Sequence, residues 1–145
     1  MTVEVSGIVP TKKMLQEIEE FLMSHKPMEG MVEDGKELVL EKTAKGYDYK
    51  HRKFTPYSKR YAKRKGSKLV NMRLSGDMLE SIITEVISHD HGRIKVTNKE
   101  VIANVHNTGT GKQPQREFMN INKSNLAKLQ KKHLDDPIMK ILGRA

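Results

Sequence analysis

The chain has no cysteine, no tryptophan and only seven aromatic residues, and it holds no apolar run near the ~20 residues that span a bilayer. Without cysteine there is no disulfide scaffold, no thiolate zinc site and no cysteine nucleophile, which fits a reducing compartment. The opening MTVEVSGIVP lacks both the basic n-region and the apolar h-region of a secretory signal. A soluble, intracellular chain with no membrane partner is therefore expected. Its 145 residues fit a single domain, 1–145, able to bury one core. The apolar fraction is lean at 36%, or about 43% with the ten glycines included.

Charge is what the chain has in excess, at a formal net of +9. It is unevenly spread. Residues 42–73 carry twelve Lys/Arg against one acid, Asp48, a local net of +11, whereas residues 1–41 are acidic with a net of −5. Five of the seven aromatics (Tyr47, Tyr49, Phe54, Tyr57 and Tyr61) lie in the same basic stretch. Two readings are open. Lys/Arg and tyrosines together can grip phosphates and stack on bases. Equally, the tyrosines can pack inward while the charge serves solubility or an acidic protein partner. Neither zinc-finger spacing nor an RNP-type strand motif is present.

Along the chain, residues 10–26 read as a first helix, with Met14, Leu15, Ile18, Phe21 and Leu22 on one face. Pro27 and Gly30 are expected to break or bend it. A second helix is expected over about 31–45, burying Met31, Val32, Leu38, Val39 and Ala44, with Gly46 as its stop. Thr55 and Pro56 suit the N-cap and first position of a short helix that ends at Gly66. Ser75 is the expected cap of another, carrying Met78, Leu79 and Ile82 on one side. From Ile82 the period changes to two: IITEVIS, RIKVT and VIANVH read as a three-stranded antiparallel meander. A last helix is expected after Lys123, capped by Ser124 and interrupted at Asp136-Pro137. The predicted class is α+β, with N-terminal helices, a small antiparallel three-stranded sheet and a C-terminal helix. A sheet this small has two edges, which can pair with another subunit unless loops or helices cover them, so self-association is expected.

Chemistry-bearing patterns are thin. His89, Asp90 and His91 sit on a predicted turn, where polar residues are ordinary, and no HExxH-type spacing accompanies them. Gly109-Thr110-Gly111-Lys112 lacks the glycine spacing and the following Ser/Thr of a phosphate loop. Ser58 and Ser75 have no base at a recognisable spacing. No catalytic, metal-binding or cofactor-binding residue is assigned, and no cofactor is expected.

Three blocks, in order, carry a resemblance. Gly46-Tyr47-Asp48 with Lys53-Phe54-Thr55-Pro56-Tyr57-Ser58-Lys59-Arg60-Tyr61-Ala62 is the first, and Leu74-Ser75-Gly76-Asp77-Met78-Leu79-Glu80-Ser81 the second. The third is Ile102-Ala103-Asn104-Val105-His106-Asn107-Thr108-Gly109, followed by Pro114-Gln115-Arg116-Glu117-Phe118. Together they resemble the virion morphogenesis proteins of Mu-like phages and prophages, also called tail completion or minor tail proteins, over about residues 46–120. Glu117 departs from the small residue or proline expected there.

The resemblance implies a non-enzymatic protein of tail completion or head–tail joining, found in the virion and, during assembly, in the bacterial host cytoplasm. It implies a homo-oligomeric ring meeting tail-tube or neck proteins. Its framework positions here are Phe54, Pro56, Tyr57, Tyr61, Gly76, Ala103, His106, Gly109, Pro114, Arg116 and Phe118. Gly76 and Gly109 suit tight turns, Phe118 an apolar anchor, and His106 and Asn107 the end of the third strand. Lys59, Arg60, Lys63, Arg64 and Lys65 are the candidate partner-binding residues, complementary to the acidic N-terminal part of a neighbouring copy. The alternative function is nucleic-acid binding by the 42–73 segment.

Overall fold

The computed structural model describes residues 1–4, 7, 9–73 and 76–143. In chain order they form α1 (Lys12–Met23), α2 (Lys26–Ala44), α3 (Lys59–Lys65), α4 (Asp77–Glu80), β1 (Ile82–Ser88), β2 (His91–Val96), α5 (Glu100–Thr108), α6 (Lys123–Gln130), a π-helical turn Lys131–Asp135 and α7 (Asp136–Leu142). The class is α+β. Among the described residues no helix is long and apolar enough to cross a membrane.

Thr11 caps α1, its hydroxyl accepting from the Met14 N–H at 3.2 Å. The expected apolar face is only half used. Met14, Ile18 and Phe21 are half-buried, while Leu15 and Leu22 stay exposed. Pro27 does not break the chain; it sits in the first turn of α2, so that helix begins at Lys26, earlier than the pattern suggested. The buried stripe of α2 is Pro27, Val32, Gly35, Val39 and Thr43, at helical spacing; Met31 and Leu38 are half-buried and Ala44 is exposed. Gly35 belongs inside this helix because Ile121 and Ile94 approach to 2.9 and 3.0 Å of where a Cβ would stand.

α2 packs on both strands. The sheet has two strands, antiparallel, with Ile82 opposite Val96, Thr84 opposite Ile94 and Val86 opposite Gly92. Gly92 lets α2 come close, since Val32 and Met28 side chains lie 2.6 and 2.9 Å from its missing Cβ. On the other face Glu85 pairs with Arg93 at 2.6 Å and Lys95 at 3.1 Å.

The expected third strand is a helix. VIANVH lies within α5, so the sheet does not extend and His106 and Asn107 end a helix instead. Asn98, at φ +60°, and Lys99, at φ −136°, turn the chain off the sheet. Val101 and Ile102 then remain exposed while Ala103 alone is fully buried, and His106 and Asn107, three and four residues on, follow on its face. A β-branched run this short fits either period, and tertiary contact decides it.

Phe118 (2% exposed) and Ile82 (1%) anchor the core, with Val39, Phe54, Val70, Met72, Met78, Leu79 and Ala103 around them. At the C-terminal end Asn122, not Ser124, caps α6 by accepting from the Asn125 N–H at 2.8 Å. The expected interruption at Asp136-Pro137 takes the form of the π turn, in which the Asp136 N–H bonds back five residues to the Lys131 carbonyl. Proline lacks an N–H and its ring would strike the carbonyl four residues back, so the wider turn relieves an otherwise continuous helix. Its extra residue resets the phase. Leu129 and Ile141, both buried, would lie about 120° apart on an unbroken α-helix; one inserted residue brings them to about 20°.

Candidate functional site

The loop leaving α2 is organised by the one acid of the basic segment. Gly46 follows the helix at φ +84°, and Asp48, nearly enclosed, collects the chain that comes after it. Its Oδ1 accepts from the backbone N–H groups of Lys50 (2.9 Å) and Arg52 (2.8 Å), and its Oδ2 from Arg52 Nε (2.9 Å). Asp48 is thereby committed to Arg52 and to the loop, leaving the cations of 53–68 without a local counter-charge. Tyr47 stacks on His51 with ring centres 4.4 Å apart, and Phe54 is buried.

α3 starts later than Thr55 and Pro56 suggest. Ser58 is the cap, accepting from the Tyr61 N–H at 3.2 Å, because the Thr55 and Pro56 carbonyls are turned to another partner. That partner is Arg116. Its Nε donates to the Thr55 carbonyl at 3.0 Å and its Nη2 to the Pro56 carbonyl at 3.2 Å. The guanidinium also lies 4.9 Å from the centre of the Tyr57 ring. Arg116 is only 3% exposed, and no carboxylate among the described residues pairs with it. Burial lowers its pKa without threatening its charge.

Tyr57 sits at the centre of these contacts. Its hydroxyl accepts from the Met72 N–H at 3.1 Å, its ring meets that of Tyr61 at 4.7 Å, and Lys65 Nζ lies 4.8 Å from its centre. Burial raises its phenol pKa. Arg64 covers Tyr61 at 5.0 Å. The candidate partner-binding residues divide here. Lys59, Arg60, Lys63 and Arg64 are exposed and form no ion pair with another described residue. Lys65 turns inward, donating to the Leu69 carbonyl at 2.9 Å and to Asn71 Oδ1, and burial lowers its pKa.

The end of α5 supplies the opposite wall. Gly109 ends the helix at φ +71°, with the Gln115 backbone nitrogen 2.8 Å from where a Cβ would be, so the returning strand of chain runs directly against it. The Arg116 N–H donates to the His106 carbonyl at 2.7 Å, and the Met119 N–H to Asn107 Oδ1 at 2.9 Å. His106 is half-buried, its Nδ1 enclosed without a partner among the described residues, and burial followed by the nearby Arg116 charge lowers its pKa. Between these walls lies a cavity of about 380 Å³, whose polar lining includes Tyr57, Ser58, Tyr61, His106, Lys112 and Arg116 and contains no acid.

The framework positions thus fall into one assembly with few exceptions. Phe54, Pro56, Tyr57, Tyr61, Ala103, His106, Gly109, Pro114, Arg116 and Phe118 all lie in the core, the cavity wall or the contacts that join them. Gly76 is buried at φ +93° before α4, close to Arg73 and Glu80 rather than to the cavity. Leu74 and Ser75, including the expected Ser75 cap, lie outside the described residues. The roles of Asp48, Lys112 and Met72 were missed from sequence. For Asp48 there was a signal, since a lone acid in a run of twelve bases must be held there by geometry or by a partner. His89 is exposed on the β1–β2 turn and His91 at the start of β2, and the Ser88 hydroxyl donates to Asp90 at 2.6 Å. Among the described residues no group of three or more His, Cys, Asp or Glu is placed to hold a metal ion. No protein-family model matches the chain, and no curated protein or solved structure is significantly similar to it.

Proposed function

We propose that this chain is a non-enzymatic assembly protein of a phage or prophage, acting in tail completion or head–tail joining as a ring of identical copies. The observation that carries the reading is the Arg116 contact with Thr55 and Pro56, which joins two of the three sequence blocks on which the family resemblance rests. Blocks that hold one another in place support a shape-determined assembly role.

Self-association is supported by what the surface leaves open. α1 and α7 pack together, yet Leu15, Leu22 and Met23 on the first and Met139 on the second stay exposed. The two-stranded sheet has two open edges among the described residues, with Ile83 and Ile87 exposed beside them. Deleting the gene from a phage genome that carries it should leave filled heads and finished tails unattached in the lysate, as seen by electron microscopy. Normal yields of joined particles would refute the reading.

A second reading is favoured by one feature, the exposed and unpaired Lys59, Arg60, Lys63 and Arg64 of α3 beside Tyr61. On that reading the segment holds nucleic acid. Filter binding across a salt series would then show sequence-blind affinity falling steeply with ionic strength.

A further inference from the structure

A guanidinium carried to 3% exposure ordinarily travels with a carboxylate, because neutral acceptors fill its hydrogen bonds without cancelling its charge. Arg116 has the neutral acceptors only. Two backbone carbonyls take Nε and Nη2, the Tyr57 ring takes one face, and Nη1 makes no hydrogen bond with the described residues. The cavity in front of it adds Lys112, which is exposed at the rim, and His106, whose Nδ1 has no partner among the described residues. No acid lines this cavity, whose walls include the apolar Pro56, Met72 and Pro114; the acids nearest to Arg116, Asp48 and Glu117, line a separate recess on its other side and make no ion pair with it.

We propose that this cavity receives a single carboxylate, presented by an acidic segment of a partner protein, with Arg116 as the recessed anchor and Lys112 as the rim contact. The proposal rests on the assembly reading for its context and names the chemistry of the partner. A protein carboxylate is favoured over a duplex phosphate by shape. Arg116 lies beneath the surface, where a glutamate or a chain terminus on a flexible stem can reach it. A phosphate of a duplex is flanked by sugars and cannot enter a 380 Å³ recess alone. The planar guanidinium suits a carboxylate, and the exposed Lys59, Arg60 and Lys63 nearby would hold the rest of an acidic segment.

The test uses the full chain with a fluorescent polyglutamate peptide, sodium acetate and a short random-sequence DNA duplex as probes. Expected are peptide binding that weakens with salt, a loss of at least about tenfold in Lys112→Glu, and a shift of the Arg116 side-chain N–H resonance on adding either peptide or acetate. Lys112 is exposed, so its variant keeps the fold. Peptide binding that leaves the Arg116 resonance unmoved, or that depends on Lys63 but not on Lys112, would place the contact on α3 and overturn the proposal. So would a duplex that shifts Arg116 while the peptide does not. Failure here with assembly still gene-dependent removes only the cavity; peptide capture alongside normal particles in the gene deletion removes only the assembly reading.

Discussion

The guanidinium of Arg116 stands 4.9 Å from the ring centre of Tyr57, and through it the chain after α5 is fastened to the chain before α3. The same side chain donates to the successive carbonyls of Thr55 and Pro56, while the Tyr57 hydroxyl accepts from the Met72 backbone N–H. Three segments distant in sequence meet at one cation and one phenol.

Replacing Arg116 by methionine keeps an apolar stem but strands two carbonyls without their donor. A loss of about 2–4 kcal/mol in urea unfolding is expected. Arg116→Lys should fall between the two, since an ammonium keeps the charge and not the fork. A methionine variant as stable as the parent would show that solvent replaces these bonds freely.

Gly109→Ala should destabilise by more than about 2 kcal/mol, because the left-handed backbone and the abutting Gln115 backbone act together. Gly30→Ala tests a different constraint. Alanine improves an interior helix position by roughly 1 kcal/mol, yet the His133 ring lies 2.3 Å from where its Cβ would be. Thermal melts should show net destabilisation in both.

Acid should loosen the C-terminal helices first. Asp34 on α2 accepts from Lys132 at 2.6 Å and His133 at 2.7 Å, and these bonds hold its pKa below the ordinary carboxylate value. A carboxylate with a depressed folded pKa contributes fully above its unfolded value of about 4, and the contribution disappears as pH falls through the folded value. Urea midpoints should therefore drop below about pH 4, and Asp34→Asn should flatten that limb.

If α3 forms half of a contact between copies, reversing Lys59, Lys63 and Arg64 together should abolish the salt-sensitive part of self-association in light scattering. Lys65 is best left intact, since its ammonium holds the Leu69 carbonyl and Asn71. Unchanged mass and unchanged salt response would end the complementary-patch idea.

Sequence periodicity was enough for α1, most of α2, the hairpin and the α+β class, where one apolar spacing dominates each segment. It failed at residues 101–106, because Val, Ile and Val satisfy a strand pattern, and the turn at Asn98 and Lys99 together with the burial of Ala103 decides otherwise. Helix starts moved at two places, with Ser58 capping α3 where Arg116 holds the Thr55 and Pro56 carbonyls, and Asn122 rather than Ser124 capping α6. Six of the residues lining the cavity stand among the framework positions, but the cavity they enclose is not legible in the sequence. Arg116 and Tyr57 are individually unremarkable in sequence, and no local pattern encodes a contact between loops so far apart.

The turn at Lys131–Asp135 fixes the direction in which α7 presents its side chains as well as the path of the chain. Removing one residue there would restore an ordinary helix and swing everything beyond it by about 100°, carrying Ile141 away from the side that Leu129 occupies. A chain without the extra residue would have to compensate in α7 itself. An alignment that refuses a gap at this point will therefore match inward positions of one protein with outward positions of the other.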